Sequence, residues 1–207
     1  MKLLELFSGT KSVGKVAEQL GYEVISLDLK DADINCNILD WDYTTYPVGY
    51  FDVIWASPPC TEYSKAKTRG IRNIDYANKI VLKTLEIIEY LNPTYHILEN
   101  PQTGLLKTQP FMCGISYKDL DYCKYGMKYR KRTRLWNNVF NWIPRELCKK
   151  DCGNMVNNRH IGSCGCGGQG QGHKKIYSDR SYRREEKYVI PNELIEELFN
   201  CMDLDLR

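Results

Sequence analysis

The chain has 207 residues, enough for one sizeable domain with at most a small appendage. A hydrophobic share of 43% supports a buried core, and a formal net charge of +3 is too mild to imply nucleic acid by itself. No apolar run approaches membrane-spanning length, and the opening MKLLELFSGT lacks a signal-peptide pattern. These features predict an intracellular monomer with no membrane contact, whose nine cysteines stay reduced and available for catalysis or metal binding.

In chain order, residues 3–7 form a short apolar run that stops at Ser8-Gly9, and a helical pattern covers 12–20. Residues 22–29 alternate and are β-branched, predicting a second strand that ends at Asp28. Residues 51–57 predict a buried strand cut off by Pro58-Pro59. A helix over 77–91 places Ala77, Ile80, Val81, Thr84, Leu85 and Ile88 on one face. A further strand over 95–100 stops at Pro101, and Pro191 announces a last helix from Asn192 to about Met202. Strands alternating with helices imply a doubly wound, Rossmann-like α/β sheet, parallel and covered on both faces.

Charge and composition vary along the chain. Residues 124–134 hold Lys124, Lys128, Arg130, Lys131, Arg132 and Arg134 with no acid among them. Residues 148–173 hold four cysteines and two histidines among many glycines, and cannot build a core from side chains alone. The expected division is a main domain of residues 1–140 plus 188–207, with a small Cys/Gly-rich element over 141–187.

Several residues lie where chemistry is expected. Gly9 at the end of the first strand lets the backbone approach a ligand, and Asp28 sits at the tip of the next strand, where doubly wound folds bind ribose hydroxyls. Cys60 follows Pro58-Pro59 at a strand tip, and Glu99 ends the following strand. A thiol and a carboxyl at neighbouring tips suit a nucleophile and an acid acting on one substrate. Cys148, Cys152 and His160, with Cys166 as fourth ligand and Cys164 or Cys123 as alternatives to it, have donor types that zinc takes, in a spacing unlike a standard finger.

The segments ELFSGTKSVG, ASPPCTEYS, ILENP and YRKRTRLW, in this order, resemble the sequential motifs of cytosine-5 DNA methyltransferases, and most of all the short phage- and virus-encoded members. The resemblance covers roughly residues 2–140 and the final helix. It implies methyl transfer from S-adenosylmethionine to C5 of a flipped-out cytosine in DNA, in a bacterial cytoplasm or in the nucleus or cytoplasm of a virus-infected cell. By this resemblance Cys60 adds to C6 of the ring, Glu99 holds and protonates N3, Arg134 contacts O2 and Arg132 orients the site. Phe7, Gly9, Asp28, Asn37, Ile38 and Pro58 would hold the cofactor, with Asn37-Ile38 where the family usually has Asp-Ile.

Residues 61–73, with Lys65, Lys67 and Arg69, look like the lid over the flipped nucleotide. Two departures stand out: residues 187–191 replace the family's usual Asn/Gly motif, and only about fifty residues remain for target recognition. Within those, a zinc-stapled segment would present Arg180, Arg183 and Arg184 to DNA. A catalytically inactive DNA-binding relative and an RNA methyltransferase are the competing readings.

Overall fold

The computed structural model describes residues 1–162 and 188–205. Among these, β1 (Lys2–Leu6), β2 (Glu23–Asp28), β3 (Ile34–Asn35), β4 (Val53–Ala56), β5 (Tyr95–Pro101), β6 (Tyr117–Asp121) and β7 (Arg132–Asn137) form one sheet in the order β3-β2-β1-β4-β5-β7-β6. The first five strands are parallel; β7 runs antiparallel to both β5 and β6.

Period-two alternation sends successive side chains of each strand to opposite faces. Leu3, Val53, Trp55 and Ile97 pack with α1 (Ser12–Gln19) and α3 (Asn192–Asp205). Leu4, Leu6, Ile54 and Ala56 pack on the other face with α2 (Ile74–Leu91). α2 starts three residues before its apolar stripe because the Asn73 side chain accepts from the Tyr76 N–H, capping the first turn.

The parallel, doubly wound half matches the sequence expectation. The antiparallel pair β6–β7 does not follow from it, since charge interrupts both strands. The charges are complementary: Asp119 lies opposite Arg134 and Asp121 opposite Arg132, so cross-strand ion pairs replace an apolar stripe. Residues 155–160 add a two-stranded hairpin, β8 (Met155–Val156) and β9 (Arg159–His160).

Strand order reverses between β1 and β4, and the carboxyl ends of these strands open on a crevice. In doubly wound sheets that position is the usual ligand site.

Candidate active site

A cleft of about 320 Å³ occupies this switch point. Phe7, Ser8 and Gly9 reach it from β1, Asp28 from β2, Asn37 and Ile38 from just beyond β3, Pro58 and Cys60 from β4, and Glu99 from β5. Lys131, Tyr188 and Ile190 also line it.

The β1–α1 turn is tightly bent. Phe7, Gly9 and Lys11 all have positive φ, at 60°, 48° and 54°. A bulky residue such as Phe is strained there, and the bonds from Phe7 N and Ser8 N to the Leu27 carbonyl (2.8 and 3.2 Å) hold it. Gly9 N donates to Asp28 Oδ2 at 2.8 Å and Leu29 N to Oδ1 at 2.6 Å. Each carboxylate oxygen keeps a second lone pair for another donor. Ser8 Oγ is buried against the cleft with no hydrogen-bond partner among the described residues. Asn37 is turned partly inward, its Oδ1 accepting from Leu39 N at 3.1 Å.

Gly14 serves the fold rather than a ligand. Its N–H donates to buried Glu5 Oε2 at 3.0 Å, and a Cβ there would lie 2.7 Å from that oxygen. Burial pushes the Glu5 carboxyl up to about 7, against the opposing Gly14 hydrogen bond.

Cys60 sits at the other end of the cleft. Asn100, fully buried, donates from Nδ2 to the Pro58 carbonyl at 2.9 Å and so fixes the Pro-Pro-Cys loop against β5. Burial pushes the Cys60 thiol up, the Glu99 charge adds to this, and Lys131 opposes it. Glu99 Oε1 receives the Tyr122 hydroxyl at 2.9 Å and Lys131 Nζ at 3.2 Å. Burial, then the Glu99 charge, hold Tyr122 well above the usual phenol range, so it remains a donor.

Arg132 and Arg134 are engaged elsewhere. Arg132 forks onto Asp121 (3.1 and 2.7 Å), and Arg134 onto Asp119 (2.7 and 2.9 Å) with its guanidinium 3.4 Å from the centre of the Tyr117 ring. Neither lines the cleft; among the described residues the cation that does is Lys131. Alternation explains this: Lys131 and Thr133 share the face of Glu99, while Arg132 and Arg134 lie on the opposite face. Lys131, Tyr122 and Asn100 are the site residues that motif reading passes over. The basic run and the Glu-Asn-Pro segment were the signals for two of them.

In the loop after Cys60, Lys65 and Arg69 are exposed, whereas Lys67 is bound to Glu62 at 2.6 Å. Arg72 ties the loop to itself through the Glu62, Ser64 and Lys67 carbonyls. Among the described residues Cys148, Cys152 and His160 come together, with Cys123 as a fourth group beside them. Cys166, Arg180, Arg183 and Arg184 lie outside the described residues.

Residues 1–130 match the family model for C-5 cytosine-specific DNA methylase. A frog virus 3 (isolate Goorha) protein named as a probable DNA (cytosine-5)-methyltransferase is 35% identical over 97% of this chain and 99% of its own length. Among solved structures, a prophage-encoded E. coli protein named as a DNA modification methyltransferase superposes over 72% of this chain with a TM-score of 0.53 at 13% identity. Spodoptera frugiperda DNMT2 aligns over 70% with a TM-score of 0.46 at 19% identity. The match spans about half of each of those two chains, 52% and 55%.

Proposed function

Because the chain belongs to the C-5 cytosine-specific DNA methylase family, we propose that it methylates C5 of cytosine in DNA using S-adenosylmethionine. The observation that carries this reading is one cleft joining the Gly9–Asp28 pair at one end to Cys60, Glu99 and Lys131 at the other.

The cleft fits the cofactor. Asp28 retains acceptor capacity for ribose hydroxyls, and the unpartnered Ser8 Oγ offers a buried polar contact. Ile38 provides an apolar contact beside Asn37 for the base. When bound, S-adenosylmethionine supplies an electrophilic sulfonium methyl group.

The remaining chemistry belongs to the chain and the substrate. Cytosine C5 is too weak a nucleophile to take a methyl group directly. The Cys60 thiolate adds to C6, and the electron pair displaced from the ring is drained at N3, where Glu99, having taken up a proton from solvent, delivers it. C5 then carries the density needed for methyl transfer. Loss of the C5 proton to water, return of the N3 proton to Glu99 and expulsion of the Cys60 thiolate restore the ring. Attack on the ring faces requires the base to leave the stack.

Lys131, paired with Glu99, supplies the positive charge beside the ring that the sequence assigned to Arg134. Arg132 and Arg134 then act by holding β7 to β6, which sets where Lys131 enters the cleft. Exposed Lys65 and Arg69 are offered to phosphates, and the 141–187 segment to target recognition. A zinc ion has a place in this reading as a staple, because the clustered thiols do not line the cleft.

The test is transfer of labelled methyl from S-adenosylmethionine to DNA and to RNA of the same sequence, followed by bisulfite sequencing. Label at C5 of cytosine in DNA supports the reading. Label confined to RNA, or none with the cofactor bound, contradicts it.

A further inference from the structure

We propose that Cys123, Cys148, Cys152 and His160 form a closed four-coordinate site for one zinc-class divalent ion, which clamps residues 148–160 onto the catalytic sheet beside Arg132. Only the link to Arg132 rests on the functional reading above; the metal site stands on its own geometry.

The four donor atoms lie within 4.8 Å of one another. Cys148 Sγ and His160 Nε2 are 3.5 Å apart, close to the edge of a tetrahedron with sulfur at about 2.3 Å and nitrogen at about 2.0 Å from its centre. Three thiols with one imidazole are a donor set that selects zinc and leaves no open position for a reactant. Cys123 and Cys148 are buried, so the ion would sit away from bulk water.

Local backbone supports the same arrangement. Lys150 has φ 74° and donates its N–H to Cys148 Sγ at 3.3 Å, a bend that returns the chain toward Cys152. Asn157 and Asn158, both with positive φ, turn the β8–β9 hairpin that ends at His160. Two-residue strands have too few bonds to hold their shape in water. Cys123 comes from far earlier in the chain, in the turn Tyr122–Tyr125 directly after β6, so the ion would cross-link three separate pieces of backbone.

The clamp reaches the sheet through one carboxylate. Asp121, fully buried, accepts from Cys148 N at 3.0 Å and from Arg132 Nη2 at 2.7 Å on the same oxygen, Oδ2. Displacing Cys148 would therefore disturb Arg132, and with it the neighbouring Lys131. Gly162 N to the Lys128 carbonyl (2.8 Å) and Asn154 Nδ2 to the Met127 carbonyl (3.1 Å) dock the far side of the hairpin.

The experiment uses the full chain, purified reduced and without added metal. Elemental analysis should give about one zinc per chain, and cobalt exchanged into the site should show thiolate-to-metal charge transfer and tetrahedral d–d bands. Cys123→Ser should weaken metal binding at least tenfold, while Cys166→Ser should leave it unchanged. Stripping the ion from the wild type should open Lys149, Lys150 and Arg159 to trypsin, with S-adenosylmethionine affinity held within about twofold. A reduced wild type that takes up neither zinc nor cobalt would overturn the site. Equal affinity in Cys123→Ser, or loss in Cys166→Ser, would overturn the ligand set, and unchanged trypsin cleavage would overturn the clamp. Zinc bound by a protein with no affinity for S-adenosylmethionine would leave this site standing and refute the methyltransferase reading instead.

Discussion

The side-chain amide of Asn100 donates to the Pro58 carbonyl at 2.9 Å, and that bond joins the tip of β5 to the loop that aims Cys60. Asn100→Ala leaves a carbonyl unpaired at a buried position, which costs about 1–3 kcal/mol. Urea unfolding should shift by at most that amount, since the buried Asn100 Oδ1, without a partner among the described residues, is removed as well, and covalent capture of the target base by Cys60 should slow at least tenfold. A variant with wild-type stability and capture rate would show that the bond positions nothing.

Cys60 reactivity should follow the charges facing it. Burial and the Glu99 charge both raise the thiol's titration point, so its thiolate grows in only above the ordinary thiol range. Glu99→Gln removes a raising charge and should increase iodoacetamide labelling of the Cys60 peptide at pH 8. Lys131→Met removes the lowering charge and should decrease it. Labelling that moves the other way in either variant would mean these charges do not face the thiol.

Asp28 holds Gly9 N and lines the cleft at the tip of β2. Asp28→Ala removes both the loop contact and the ribose acceptor, so S-adenosylmethionine affinity should fall by about 1–3 kcal/mol. Asp28→Asn keeps one acceptor oxygen and should lose less. Calorimetry showing unchanged affinity in a folded Asp28→Ala protein would remove the nucleoside site from this position.

Glu5 makes stability depend on pH in an unusual direction. Its folded titration point is about 7, above the ordinary carboxyl value, so between roughly pH 4.5 and 7 the folded chain binds more protons than the unfolded one. Its contribution is full below that window and is lost as pH rises through 7. Glu5→Gln should flatten this slope and make the protein more stable than wild type at pH 8, by at most about 3 kcal/mol. Parallel stability curves for the two proteins from pH 5 to 8 would contradict the assignment.

Much of this was legible in the sequence, and for a physical reason. Apolar runs such as 51–57 and 95–100 end at prolines, so both the buried strands and the strand tips carrying Cys60 and Glu99 are written locally. β6 and β7 were not legible because their partners are charged side chains on another strand, Asp119 with Arg134 and Asp121 with Arg132. That pairing also takes Arg132 and Arg134 out of the cleft and leaves it to Lys131. Cys123 lies 25 residues before Cys148, so only the fold brings it to the thiol cluster. Asn37-Ile38 and Gly9-Asp28 reach the cleft as expected, each being close to a strand end.

The central claim is that Cys60 forms a bond to the target base. DNA containing 5-fluorocytosine cannot release the enzyme after methyl transfer, because fluorine at C5 does not leave as a proton does. Incubation with S-adenosylmethionine should give a denaturant-stable protein–DNA adduct whose tryptic peptide carries the nucleotide on Cys60. Cys60→Ala should give no adduct and keep cofactor affinity within a few-fold. An adduct that persists in Cys60→Ala, or that maps to another cysteine, would contradict the account.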